Sequence, residues 1–129
     1  MEESIFEAFG AGSLELPELK KDFSRIPWEA HPSFSGVEMK HIVTAKDTGG
    51  AFSFHLVRIA AGKAILSHVH EAQLETHEVI AGGGTCMNGS AEAVYRPGTV
   101  SIMQPGAPHE VHAGSGGLCL FAKFFPALC

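Results

Sequence analysis

The stretch of chain bounded by Gly62 and Gly82 restricts this protein more than any other, because it holds His68, His70 and Glu75 at short, fixed intervals. Residues two apart on a β-strand share a face, so His68 and His70 project the same way, with Cα atoms roughly 6.6 Å apart. Two imidazoles placed like this can converge on one ion. Neutral imidazole nitrogen suits divalent transition metals, and the Glu75 carboxylate adds negative charge that helps offset taking a dication out of water. His109 is the natural fourth ligand, since Pro105, Gly106, Ala107 and Pro108 ahead of it form a rigid turn that fixes where the next strand begins. With 8 histidines in 129 residues, a lone pair one residue apart is weak evidence and equally describes two exposed strand positions. The flanking glycines and Glu75 make the pattern specific.

The rest of the chain reads as all-β. Val37, Met39, His41 and Val43 alternate with Glu38, Lys40 and Ile42, and the turn composition of Asp47, Thr48, Gly49 and Gly50 ends that strand. Further strands are expected over Phe52–Ile59, Ala64–His70, Glu75–Ile80, Thr85–Met87, Ala91–Tyr95, Thr99–Met103, His109–Ala113 and Leu118–Phe125. Gly82-Gly83-Gly84 and Gly114-Ser115-Gly116-Gly117 read as breaks, and Asn88-Gly89 as a hairpin turn. Many short antiparallel strands must avoid open edges. Rolling two sheets into a jelly roll leaves few edges exposed and encloses a small cavity. The first 35 residues differ: Ile5, Phe6 and Phe9 lie at helix spacing beside Glu2, Glu3 and Glu7, which predicts a short amphipathic helix stopping at Gly10-Ala11-Gly12. Leu14 to Pro32 carries Pro17, Pro27, Pro32 and the only tryptophan, Trp28, and is expected to lie extended against the barrel or a partner subunit. The domain plan is therefore 1–35 as helix and arm, and 36–129 as the barrel.

The spacing Gly62-x5-His68-x-His70-x4-Glu75-x6-Gly82 resembles the first motif of the cupins, and Gly98, Gly106 and His109 resemble the second. The likeness covers roughly Gly36 to Phe125. It implies a double-stranded β-helix, the cupin form of the jelly roll, with His68, His70, Glu75 and His109 as ligands of one divalent transition metal ion: iron, manganese, nickel, cobalt, copper or zinc. Gln104 stands where the family usually has proline, Thr99 where an acid often follows the glycine, and Ala113 where asparagine is common. None of these is a ligand position.

Strand parity extends the site. His77 is two residues past Glu75 and shares its face, which makes it the candidate proton-transfer residue, while Glu78 points away. Glu71 sits on the wrong face beside His70, and His112, three beyond His109, faces outward. His41 and His55 fall on partly apolar faces and read as structural histidines. Gln73, Arg58 and Tyr95 are polar groups within reach of a pocket mouth, with packing or surface roles as the simpler reading.

The formal net charge of -5, with basic residues scattered, argues against a nucleic-acid surface and for a small-molecule partner. No stretch reaches the ~20 apolar residues of a membrane span, and the acidic start lacks the order of a signal peptide, so the expected location is cytoplasmic. Cys86, Cys119 and Cys129 form no C-x-x-C pair and are expected to stay reduced. The resemblance implies a metal-dependent enzyme, with oxygenase-like chemistry favoured. Two alternatives are a non-catalytic metal or ligand sensor and a metal-independent sugar isomerase or epimerase. Leu56-Val57-Arg58 and Gly117-Leu118-Cys119 loosely resemble the zinc-holding domain of certain anti-sigma factors. Cupins often dimerise, and the arm with Trp28 and the tail Phe121, Phe124 and Phe125 are the expected homodimer surface.

Overall fold

The computed structural model describes residues 2–129, with side chains from residue 5 onward. Helix α1 (Glu2–Gly10) forms where Ile5, Phe6 and Phe9 recur, and ends at the expected glycines. The arm is not extended throughout. β1 (Ser13–Leu16) and β2 (Leu19–Asp22) make an antiparallel hairpin, in which Leu16 pairs with Leu19. Pro17 and Glu18 form its turn, because the fixed φ of proline suits the first central position. A 3-10 turn (Phe23–Arg25) follows, capped by Asp22, whose carboxylate accepts the Ser24 N–H at 3.0 Å. β3 (Glu29–Ala30) then joins the main sheet.

Next come β4 (Val37–Val43), helix α2 (Ala45–Thr48) and β5 (Ser53–Ile59). α2 is a single turn standing where a loop is expected. The Asp47 carboxylate accepts the Thr44 N–H at 2.9 Å at its start, and Gly49 takes φ +63 at its end. β6 (Ala64–His68), β7 (Leu74–Asn88), β8 (Ala91–Tyr95), β9 (Val100–Met103) and β10 (His109–Phe125) complete the body. The β7–β8 hairpin forms as expected, one residue along: Asn88 pairs with Ala91, so Gly89 and Ser90 are the turn.

All pairings are antiparallel, and they define the barrel. Over residues 109–113, β10 lies between β6 and the second half of β7; over residues 118–125, β5 and the first half of β7 flank it. β7 is bordered by β9 early and β8 late. Two sheets result, β3-β4-β5-β10-β7-β9 and β6-β10-β7-β8, and they share two long strands.

Each of those long strands is expected to be two. The glycine runs bend them instead of ending them. Between the pairs Ala113–Gly84 and Leu118–Gly82, four residues of β10 bulge opposite Gly83 alone. Gly82 sits at φ +75, and a Cβ there would collide with the Gly117 carbonyl oxygen. Glycine is required because two backbones cross too closely for a side chain.

Two cores follow from strand parity. Val57, Ile59, Val79, Tyr95, Val111, Leu118, Leu120 and Phe124 fill the space between the sheets. Phe6, Phe23, Ile42, Val43, Leu56 and Phe121 form a second cluster on the other side of β4, β5 and β10, with Trp28 packed on it. The helix and arm therefore cover this chain's own sheet. Trp28, Phe121 and Phe124, offered above as dimer contacts, are taken up internally, and only Phe125 of that set stays exposed. No helix among the described residues is long and apolar enough to cross a membrane.

Candidate metal centre

β6 ends at His68, and His70 lies just past it, so strand parity holds for the first histidine only. Glu75 is the second residue of β7. His109 opens β10 directly opposite His68. The fold brings all four expected ligands together: one donor atom from each of His68, His70, Glu75 and His109 lies within 4.8 Å of every other.

Hydrogen bonds fix which atoms converge. The Nδ1–H groups of His68 and His109 donate to the carbonyls of Leu66 (2.9 Å) and Ala107 (3.3 Å), which leaves Nε2 of each ring free. Backbone oxygens behind ligating imidazoles set ring orientation in this way. Glu75 is split between two tasks. Its Oε2 accepts from His77 Nε2–H at 2.7 Å, while Oε1 lies 2.9 Å from His109 Nε2 and 3.6 Å from His70 Nε2. His77 Nδ1 in turn accepts the Tyr95 hydroxyl at 2.8 Å. Burial pushes the Tyr95 phenol well above its usual range, so it stays protonated and able to donate.

The electrostatics fit a cation. Burial opposes a charge on Glu75, but His109 and His77 beside it outweigh burial and hold its carboxyl well below the usual carboxylate range. An ionised carboxylate therefore sits 5% exposed inside the barrel. Burial lowers His68 and His70, which keeps those imidazoles neutral and ready to ligate. Although they approach closely, Glu75 Oε1 and His109 Nε2 are not aligned for a hydrogen bond, and both are buried polar atoms with no partner. Such orphaned atoms carry a cost of about 1–3 kcal/mol each, and a cation between them removes it.

The remaining candidates fall elsewhere. Glu71 is exposed, His112 is exposed and paired with Glu110 at 2.7 Å, and Gln73 donates to the Ala127 carbonyl. Arg58 lies on the outer face, 2.9 Å from Glu38 and stacked 3.9 Å over Trp28. Tyr95 sits beneath the site as the anchor of His77. His41 and His55, set aside in the sequence, face each other across β4 and β5 with Nδ1 atoms 2.7 Å apart.

A cavity of about 230 Å³ opens onto three of the four ligands, His68, His70 and Glu75, and onto His77. Its walls are mostly apolar, with Met39, Val57, Ile65, Leu120 and Phe124, and neither lysine nor arginine lines it among the described residues. His31 and Phe34 of the arm close one side, their rings 4.6 Å apart. Spacing along the chain does not mark them, because they sit in an irregular segment where neither helical nor strand periodicity applies. His31 Nδ1 accepts the Ser33 N–H at 3.1 Å, so the neutral ring carries its proton on Nε2. A larger hollow of about 450 Å³ lies on the outer face beside Trp28, Lys40 and Arg58, but it gathers no comparable set of ligands.

A family model described as a cupin domain matches residues 55–121. No curated protein matches the chain. Among solved structures, a predicted oxalate decarboxylase from Thermotoga maritima superposes with a TM-score of 0.73 at 21% identity, covering 80% of this chain and 95% of the other. Ectoine synthase from P. lautus gives 0.66 at 21% identity over 73% and 67%. The polyketide cyclase RemF from Streptomyces resistomycificus gives 0.68 at 18% identity over 80% and 75%. These likenesses establish the fold, and their differing names leave the reaction to the site itself.

Proposed function

Because this chain belongs to the cupin family, whose domain model it matches over more than half its length, we propose that it is a metal-dependent enzyme acting on a small molecule in the barrel cavity, with oxygenase-like chemistry favoured. His68, His70, Glu75 and His109 hold one divalent transition metal ion. Three nitrogens and one carboxylate, with no thiolate, suit iron(II) among such ions. The ion would supply Lewis-acid activation and orientation of a ligand oxygen.

The chain's own residues do the rest. The apolar walls exclude water and select a compact, largely apolar substrate. The lack of a lining lysine or arginine disfavours substrates with several negative charges, since nothing fixed would neutralise them. His31, with its proton on Nε2, is a donor for a polar group of the substrate. His77 has both nitrogens engaged, so it acts as a positioning residue through Glu75 and not as the proton-transfer residue its strand parity suggests.

The observation that carries this reading is the convergence of four ligand side chains, two with orphaned buried atoms, at the edge of a cavity. The test has two parts. Metal content of the purified protein is compared with that of His68→Ala and Glu75→Ala, which should each carry one equivalent less. Oxygen uptake is then followed for iron(II)-loaded protein with small enolisable ketones and diketones. Unchanged metal content in the variants would refute the metal site; silence with every substrate, at full metal loading, would refute the oxygenase.

A further inference from the structure

Inside the main sheet lies a second group of ligand-type side chains that the reading above does not use. His41 and His55 are cross-strand partners on β4 and β5, and Cys129 stands beside them, with one donor atom of each residue within 4.8 Å of the others. The two imidazoles meet Nδ1 to Nδ1 at 2.7 Å, a spacing at which one Nδ1–H donates to the lone pair of the other ring, so both ring nitrogens point at one spot. Each ring has its other nitrogen on an oxygen: His55 Nε2 lies 2.7 Å from Ser53 Oγ, and His41 Nε2 3.3 Å from Glu29 Oε2. An oxygen behind each ligating imidazole, one of them a carboxylate, is the arrangement that orients histidines toward a metal.

The third member is also held in place. The Ala45 N–H donates to the Cys129 carbonyl at 2.6 Å, and the Leu128 N–H donates to Ser53 Oγ at 2.8 Å. Ser53 Oγ thus accepts from the backbone beside Cys129 while standing behind His55. His55 is fully buried, whereas Cys129 is exposed, so an ion can enter from solvent.

We propose that His41, His55 and Cys129 form a second metal site, distinct from the one at Glu75 and selective for a thiophilic ion such as zinc or copper. Two imidazoles and a thiolate make a softer donor set than three imidazoles and a carboxylate, so the two sites sort metals differently. On binding, the ion replaces the proton shared by the two Nδ1 atoms, and the Cys129 thiol gives up its own. The site ties the residues after β10 to β4 and β5.

Titration of the metal-free, reduced protein with cobalt(II) tests this. Wild type should bind two equivalents, one of them producing a thiolate-to-cobalt charge-transfer band in the near ultraviolet. Glu75→Ala should keep that band and bind one equivalent, which separates this site from the proposed catalytic one. Cys129→Ser, a change at an exposed position that leaves the core intact, should lose the band and weaken the second equivalent by about a hundredfold or more, since loss of even an outer partner costs about 10–100-fold. His41→Ala should do the same, and Glu29→Gln should weaken it by about tenfold. A single equivalent in wild type without the band, or a band that survives Cys129→Ser, would overturn the proposal.

Discussion

The two faces of the sheet formed by β3, β4, β5, β10 and β7 are built from the same strands to different ends. Along β5, His55, Val57 and Ile59 face inward, while Phe54 and Leu56 face out. The inner face buries His55, Glu75, His77 and His109 among its apolar residues. The outer face buries hydrocarbon, with Lys40 as its one charged group in the described core. The Lys40 ammonium is spent on structure, donating to the Gly10 and Phe23 carbonyls at 2.9 and 2.8 Å and so clamping α1 and the 3-10 turn to the sheet. Alternation along a strand thus separates chemistry from stability at one-residue resolution. A substitution should affect one or the other according to the face it occupies.

Four substitutions put this separation at risk. The largest effect belongs to Glu75→Ala, expected to remove one full equivalent of bound metal while leaving urea unfolding of the metal-free protein little changed. Loss of the folded baseline would show that the inner face is structural after all. Phe6→Ala, on the outer face, should lower stability by about 3 kcal/mol through the cavity it leaves, with metal stoichiometry unchanged. His77→Phe tests the inner face more finely: freeing Glu75 Oε2 should weaken metal affinity by about 10–100-fold, and equal affinity by calorimetry would mean that the Tyr95–His77–Glu75 chain positions nothing.

The smallest effect lies on the outer side, where the Lys21 ammonium donates to Asp47 at 2.6 Å and joins the arm hairpin to α2. Asp47→Asn should cost about 1 kcal/mol or less, as for partly exposed ion pairs. Burial alone would raise the Asp47 pKa, but Lys21 and the Thr44 N–H outweigh it and hold the carboxyl below the ordinary value of 3.8. A carboxyl depressed on folding stabilises the protein above its unfolded pKa. That contribution should disappear as acid takes the pH from 3.8 down through the lower folded value. A variant whose acid-unfolding profile overlays that of the wild type would show that the pair contributes nothing.

Legibility in the sequence followed locality. His68, His70 and Glu75 lie close enough along the chain for spacing to reveal them, and His109 was marked by the rigid turn ahead of it. The jelly roll followed from many short alternating segments. Three features were hidden for physical reasons. The glycine runs at residues 82–84 and 114–117 look like breaks because glycine serves turns and close crossings alike, and only the pairing of β7 with β10 tells them apart. His41 and His55 are 14 residues apart and meet through strand register, which one-dimensional spacing does not encode. His31 and Phe34 reach the cavity from an irregular segment whose side-chain directions have no period. Tyr95 was visible only as a polar group near a pocket, because its bond to His77 spans two strands that pair elsewhere.

The sharing of β7 and β10 by both sheets leaves the barrel without a weaker half. Peeling either sheet away would strip hydrogen bonds from the other at once, so amide protons in the two layers should exchange through one common opening, slow and of nearly uniform free energy. The β1–β2 hairpin, paired only with itself, should trade its protons long before that opening occurs.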